Sequence, residues 1–471
     1  MSHRGSAQIG FTEFVALIAA MMATQAIAID AMLPAFPIIV RALHVANENH
    51  GQWILTAYMV GLGCGQLFWG VMSDRFGRRP VLLGGLGVYV GAALLCGLTN
   101  SFHGLLVWRF IHGTAAASVT VSRSVIRDLY SGRHMARVMS LTFVVFLTVP
   151  ILAPSLGQMV LAFAPWRYIF IVSSVFASIV WLWAALRLKE TLHPEYRLTL
   201  TRSHVVSAVR LVAGNRTSLC YTLALTVMFG SIMAYIGMVA QIFSDVFRRA
   251  SLMPSMFALC AITMGFAAFM NSRFVERLGM RLISHTALLC FIGITAAHVV
   301  FAALAMEQLW TFVAFQAATM AFFSLSVANF GAMAMEPIGA VAGVGASLQG
   351  FVSTFGGALV GAAIGRRFNG TTVPLAAGAL CCGLLSLVFV LFAEKGRLFK
   401  QHHVATAIGA ADGAAPPLAA VGDGKSARPT GAPADAGAGG TPPTREGTSD
   451  LEAPSDRDSE TSPAFARSPQ G

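Results

Sequence analysis

The chain has 471 residues, of which 56% are hydrophobic and only 11% are charged. An ordinary soluble domain has about 25% charged residues, so this composition excludes that class and indicates a membrane protein. The formal net charge is +11. Because membrane topology explains this excess, as shown below, it does not support nucleic-acid binding.

Twelve apolar segments approach the roughly 20 residues that a membrane-spanning helix needs. Alternation with a period of two residues is absent, so helices are predicted and barrel strands are not. Residues 1–10 have no apolar region of their own and no small-residue cleavage site precedes the first span, so we expect no cleaved signal peptide. The predicted spans are 12–34, 52–72, 81–99, 105–127, 138–162, 168–187, 218–241, 254–271, 283–305, 310–334, 341–364 and 374–394.

The first span contains Asp30, the one acidic residue that lies well inside a predicted span. A charged side chain at mid-membrane costs about 2.5–3.5 kcal/mol on insertion scales, so such residues usually face a cavity or a partner. We predict that Asp30 couples proton movement to substrate movement. The alternative is that it caps a break in the helix, since Pro34 and Pro37 follow closely.

A charged turn joins the second and third spans and recurs in degraded form at residues 276–281. The repeat predicts two pseudo-symmetric halves of six helices each, an arrangement typical of secondary transporters. The family resemblance given below implies that this turn controls conformation, together with an acid at the end of the fourth span. The predicted gate consists of Gly70, Asp74, Arg75, Gly77, Arg78, Arg79 and Asp128.

Polar residues of the fourth span recur at intervals of three and four, which places them on one stripe of a helix. We predict that Arg109 lies at a depth similar to that of Asp30 and tunes its proton binding. A nearby arginine favours an ionised carboxylate, whereas burial favours the protonated form. A purely structural ion pair and a packing role for the histidine are the alternatives. The predicted substrate-cavity residues of this stripe are His112, Thr120 and Arg123.

The fifth span contains Pro150, Pro154 and Gly157. Each proline removes an internal hydrogen bond, and the glycine leaves room for a neighbouring backbone. These residues predict a hinge, although membrane helices also tolerate proline and glycine without such a role.

Lysine and arginine residues up to residue 400 lie mainly on one side of the predicted topology, nineteen against six. This asymmetry predicts that both termini are cytoplasmic. The predicted divisions are an N-terminal six-helix bundle at 1–188, a cytoplasmic linker at 189–216, a C-terminal six-helix bundle at 217–396 and a tail at 397–471. The tail is rich in Ala, Gly, Pro, Ser and Thr, which predicts disorder.

Several of these motifs resemble a known family. The turn around Asp74 resembles the GxxxDRxGRR signature of the major facilitator superfamily. The segment 105–113 is similar to the LxxxRxxQG motif of drug:proton antiporters, with His112 in place of glutamine, and Asp30 to Pro37 is similar to the DMYLPALP segment of the Bcr/CflA branch, named for bicyclomycin and chloramphenicol resistance. The resemblance implies the major facilitator fold, a contact of Asp74 with the start of the eleventh span, and one between Arg78 and Asp128.

The sequence therefore predicts an all-α membrane protein of twelve transmembrane helices that exports small amphipathic compounds in exchange for protons. A proton-coupled metabolite carrier, importing or exporting, is the alternative. No nucleotide-binding loop, metal-ligand spacing or paired acid/base constellation is present, so neither an enzyme nor a cofactor is predicted. A non-transporting receptor would not explain the duplicated turns. The expected partners are a small-molecule substrate, protons and lipid, with no nucleic acid, in a monomer of the bacterial inner membrane.

Overall fold

A computed structural model describes residues 9–130, 132–192, 195, 209–210 and 212–399. Within these ranges the regular structure is helical, with no strand. The helices of the first half are α1 (Phe11–Asp30), α2 (Phe36–Ala42), α3 (Gln52–Phe76), α4 (Arg78–Leu98), α5 (Phe102–Ala116), α6 (Val121–Leu129), α7 (Gly132–Phe163) and α8 (Arg167–Arg187). Those of the second half are α9 (Arg216–Gln241), α10 (Met253–Leu278), α11 (Met280–Ala303), α12 (Leu309–Met335), α13 (Ala342–Gly365) and α14 (Val373–Ala393).

Ten helices of the described part of the chain are long and apolar enough to cross a membrane. The other two predicted spans are the fourth and the fifth. The fourth is divided into α5 and α6 by a 3-10 turn at Ala117–Thr120. The fifth, predicted at 138–162, lies within the 32-residue helix α7. The predicted helical membrane fold is confirmed.

The duplicated turns have the same backbone geometry in both halves. Gly77 ends α3 with φ +105° and Gly279 ends α10 with φ +81°, and the next helix begins at the following residue in each case. Positive φ at these values is rarely adopted by a residue with a Cβ atom, which explains why both turns contain glycine. We call the end of the molecule that carries these two turns the turn end, and the other end, near Gln52, the opposite end.

Within each half, neighbouring helices pack together along their lengths. In the first half α3 packs on α5, α4 on α8 and α1 on α7; in the second half α9 packs on α13 and α14, and α12 on α10 and α11. The halves meet along two equivalent pairs, α3 with α13 and α7 with α10. The limits predicted for the bundles, the linker and the tail stay predictions, because most of 193–211 and all of 400–471 lie outside the described residues.

The contact between α3 and α5 depends on small residues. A Cβ atom placed on Gly113 would collide with the backbone carbonyl of Tyr58, and one placed on Gly61 would collide with that of Phe110. The two backbones therefore approach more closely than they could with larger side chains, as is typical of small residues in membrane helices.

We expect Gly113→Ala to destabilise the protein by about 1–3 kcal/mol, because α5 must move away from α3 to relieve the collision. Gly84→Ala in α4 is the matched control, since a Cβ atom at Gly84 would meet open space. There the same change gains up to roughly 1 kcal/mol of helix propensity. Thermal unfolding of the purified proteins in detergent measures both effects, and equal melting temperatures would contradict this interpretation of the α3–α5 contact.

Candidate functional site

A cavity of about 310 Å³ lies between the two halves, near the middle of the helices. The first half contributes polar groups from α1 and α3, among them Gln25, Asp30 and Gln66. The second half contributes a wall that is mostly aromatic or aliphatic, with Tyr235 stacked on Phe257 at 5.8 Å and 8° between the ring planes. Second-half residues of this wall include Phe229, Ile232, Met233, Tyr235, Ile236, Phe257, Cys260, Ala261, Met264 and Met320. The volume is in the range of pockets for small molecules, roughly 300–1,000 Å³.

Asp30 is the last residue of α1 and lines this cavity with 5% of its surface exposed. Among the cavity side chains in the described part of the chain, Asp30 alone carries a formal charge. Its carboxylate makes no hydrogen bond or ion pair with any described residue, so it does not cap the break that follows α1. An unpaired buried carboxylate costs several kcal/mol when ionised, so its retention points to a ligand or a proton as its partner.

Arg109 does not pair with Asp30. Its Nη2 donates to the carbonyl of Ala28 at 3.3 Å and its Nε to the carbonyl of Ile54 at 3.3 Å. The guanidinium also lies 4.3 Å from the ring centre of Tyr58. The carbonyl of Ala28 is in the last turn of α1, where carbonyls lack a helical partner. The prediction that Arg109 lies beside the carboxylate of Asp30 is therefore wrong, and so is the alternative of a purely structural ion pair between them. No ion pair among the described residues joins Arg109 to Asp30. Arg109 instead holds the end of α1.

The other stripe residues of the fourth span do not line the central cavity. His112 is fully buried beside Tyr58 and Tyr89, with ring centres 5.3 and 4.1 Å away, and its Nδ1 lies 3.2 Å from Arg109 Nη1. Thr120 donates to the carbonyl of Ala117 at 2.6 Å. The prediction that these residues share one face of a helix is wrong, because the 3-10 turn before α6 interrupts the period of the α-helix. Arg123 is exposed.

Two tyrosines that the sequence analysis did not single out complete this cluster. Tyr89 donates to the carbonyl of Thr24 at 2.6 Å, and Tyr58 lies at hydrogen-bonding distance, 3.5 Å, from the carbonyl of Gln25. Both are fully buried. With Arg109 they fix the backbone of α1 over its last two turns, directly before Asp30. The available signal was the occurrence of phenols inside apolar spans, where a hydroxyl group needs a partner.

At the turn end, Arg78 binds three side chains of the first half. Its Nη1 lies 2.5 Å from Asp74 and 2.8 Å from Ser73 Oγ, and its Nε lies 3.1 Å from Asp128 Oδ2. The structure thus brings Arg78 and Asp128 together as expected from the resemblance. The described contact of Asp74 is with Arg78, so its contact with the start of the eleventh span stays a prediction.

Glu190, which follows α8, organises the same turn. Its two carboxylate oxygens accept the backbone N–H groups of Arg78 at 2.8 Å and Arg79 at 3.2 Å. The side chain of Arg79 in turn donates to two carbonyls near the end of α8. Arg75 lies over the ring of Phe76, and Gly70 faces Ser347 on α13. Sequence analysis gave Glu190 no role.

The second half has a related cluster at the turn end. Glu394 Oε1 accepts hydrogen bonds from Tyr221 at 2.7 Å and from Arg281 Nε at 2.9 Å, and Arg281 also lies 3.6 Å from Glu336. Arg281 belongs to the degraded repeat of the charged turn. No group of three or more His, Cys, Asp or Glu residues in the described ranges could hold a metal ion.

Residues Pro150, Pro154 and Gly157 all lie within the continuous helix α7. Pro150 lines the cavity, and Gly157 lies against the backbone of Ala31, the residue that follows Asp30. The predicted hinge is thus adjacent to the acidic group. Its bending stays a prediction.

At the opposite end, amide side chains join the two halves. Gln52 Nε2 donates to the carbonyl of Gly365 at 3.0 Å and to Gln241 Oε1 at 3.2 Å. Asn49 donates to the carbonyl of Phe368 at 2.9 Å and accepts a hydrogen bond from Gln241 at 3.3 Å. We call Asn49, Gln52 and Gln241 the amide clasp. Sequence analysis did not find it.

Comparison with known proteins places the chain in a family. The family model described as "Major Facilitator Superfamily" matches residues 14–361. The bicyclomycin resistance protein homolog of Haemophilus influenzae is 30% identical over 79% of this chain and 93% of its own. The multidrug resistance protein MdtL of Klebsiella pneumoniae is 27% identical over 79% of this chain and 93% of its own. The crystal structure of a D-xylose-proton symporter shares the fold, with a TM-score of 0.67 at 14% identity over 84% of this chain and 99% of its own.

Proposed function

This chain belongs to the major facilitator superfamily, and on that premise we propose that it exports small amphipathic compounds in exchange for protons by alternating access. The observation that carries the proposal is Asp30, a buried carboxylate without a partner among the described residues, on the wall of a cavity between the halves. In such a position one group can be exposed alternately to the two sides of a membrane.

The cavity wall supports an amphipathic substrate. The rings of Phe229, Tyr235 and Phe257 and several methionines offer a large apolar surface, and methionine adapts to ligands of different shape. The names of two relatives refer to bicyclomycin resistance and to multidrug resistance. We therefore infer that the substrates are compounds of that kind.

The proton would bind to the carboxylate of Asp30. When that carboxylate is ionised, it can bind a substrate in the cavity; when it takes up a proton, its attraction for a positively polarised group is lost and the substrate is released. Arg109, Tyr58 and Tyr89 hold the end of α1 so that the carboxylate stays at the cavity wall. Arg109 thus acts as a positioning residue in this scheme.

Orientation follows from the distribution of basic residues. Because arginine and lysine are concentrated at the turn end, we place that end and both termini on the cytoplasmic side of a bacterial inner membrane. The contacts of Arg78 with Ser73, Asp74 and Asp128, which we call the Arg78 network, then lie at the inner gate. The amide clasp lies at the outer gate. We expect a monomer, since each chain contains a complete cavity.

A proton-coupled metabolite carrier is the second candidate, because a D-xylose-proton symporter shares the fold. A sugar needs many hydrogen bonds. The neutral polar side chains at the cavity include Gln25, Gln66, Thr354 and Tyr235, against a wall that is otherwise mainly apolar. This balance favours an amphipathic substrate over a sugar.

The test is transport by purified protein in proteoliposomes with an imposed pH gradient. Bicyclomycin, a lipophilic dye and xylose are offered separately, and an ionophore that collapses the pH gradient is the control. We expect the first two compounds to accumulate only with the gradient present. Accumulation of xylose alone would favour the metabolite carrier, and the absence of any gradient-dependent movement would overturn proton coupling.

A further inference from the structure

Two small voids lie in series between the central cavity and the opposite end of the molecule. Each has a volume of about 10 Å³, close to the space of one water molecule. The inner void shares Met59 and Met233 with the central cavity, and it shares Gln52 and Gly237 with the outer void. The outer void ends among Gly51, Gln241 and Asp245, at the end of α9.

From this series of voids we propose that the substrate leaves the cavity along a path between α3, α9 and α13, and that Gln52 is the gate residue of this path. The direction of release rests on the proposed function, which places the opposite end outside. The location of the path does not depend on that choice.

Gln52 is the residue whose side chain both voids share in the described part of the chain. It borders both of them, it is 5% exposed, and both hydrogen bonds of its Nε2 cross from the first half to the second. On the side of the second half, the wall of the inner void consists of small residues apart from Met233. Besides Gly237, the inner void is lined by Ala358, Gly361 and Ala362.

The strength of this gate suits a reversible closure. A hydrogen bond between neutral groups makes a modest net contribution to stability. Losing both bonds donated by Gln52 is therefore expected to change the ratio of closed to open molecules by roughly tenfold or more. Removing the donors while keeping the size of the side chain should therefore open the outer end without unfolding the protein.

The first experiment blocks the path. Gly237→Leu fills the space next to Gln52, where a Cβ atom would stand 3.7 Å from that side chain. Gly293→Leu is the control, because Gly293 is exposed and a Cβ atom there meets open space. We expect dye export to fall at least roughly tenfold in Gly237→Leu, with equilibrium dye binding in detergent within about twofold of wild type, and no change in the control. Unchanged export in Gly237→Leu would overturn the path.

The second experiment opens the gate and needs no transport activity. Gly237→Cys is labelled with a membrane-impermeant maleimide, with and without Gln52→Leu, and the wild type with its native cysteines gives the background. We expect labelling of Gly237→Cys to become roughly tenfold faster when Gln52 is replaced, and to slow when dye is bound. Equal labelling rates with and without Gln52 would overturn its role as gate. If labelling becomes faster but the protein shows no proton-driven transport, the result supports the path and contradicts only the proposed function.

Discussion

Replacing Asp30 with asparagine is expected to abolish uphill export while leaving the protein folded. Asparagine has nearly the same shape but cannot take up or release a proton, so it resembles the protonated carboxylate permanently. Because Asp30 has no partner among the described residues, the change leaves no buried cation unpaired. Downhill exchange of substrate between the two sides needs no proton and should persist, with a lower substrate affinity because the neutral side chain attracts the substrate less.

Proton release on dye binding, measured in weakly buffered detergent solution, decides this prediction. Wild-type protein should release protons, and its apparent affinity for the dye should fall as the pH is lowered through the titration of Asp30. Asp30→Asn should show neither effect. Glu276→Gln, a change of an exposed acid at the turn end, is the control and should behave as wild type. Wild-type proton release from Asp30→Asn would exclude this residue as the coupling site.

The second large effect is expected for Asp74→Asn, which should slow turnover while leaving substrate affinity nearly unchanged. Asp74 does not line the cavity, and its partner Arg78 also holds Ser73 and Asp128. Losing a charge-assisted hydrogen bond to a buried arginine costs about 1.5–3 kcal/mol. Since the Asp74 side chain is 36% exposed, solvent screening reduces this value, and we expect turnover to fall roughly three- to tenfold.

Initial rates of export and equilibrium dye binding, measured on the same preparation, separate the two quantities. Glu13→Gln is a matched control, because Glu13 also forms an ion pair with an arginine, Arg187. That pair is more exposed than the pair of Asp74 and Arg78, and it lies outside the Arg78 network. The control should keep at least half of the wild-type rate. A large loss of equilibrium binding in Asp74→Asn would contradict a conformational role.

The helical membrane fold followed from the sequence because lipid requires every backbone group of a span to be bonded within the span. Hydropathy therefore located most spans correctly, although α1 ends at Asp30, before the predicted limit of the first span at residue 34. The interruption at Ala117–Thr120 was not predictable in the same way. Ser118, Val119 and Thr120 have helix propensities below that of Ala, but similar residues occur within unbroken helices, and this segment also packs against α3 and α4.

The candidate site was predicted in part. Asp30 was identified because a lone acid in an apolar span is costly, and the structure places it on the cavity. The stripe argument assigned Arg109 and His112 to a polar face, but periodicity does not say which neighbour that face meets. The aromatic and methionine wall was left unassigned because such residues also face lipid. Gln52 of the clasp bonds to partners that lie 189 and 313 positions away along the chain, and no local sequence pattern indicates such contacts.

The amide clasp also has an electrical consequence. Asn49, Gln52 and Gln241 carry no formal charge, so a membrane voltage does no net work on these side chains when they separate. Moving one elementary charge through 100 mV is worth about 2.3 kcal/mol, which exceeds the contribution of a typical neutral hydrogen bond. Voltage therefore acts on the transport cycle through the charges that cross the membrane, and the energy needed to open the clasp is the same in a polarised and a depolarised cell.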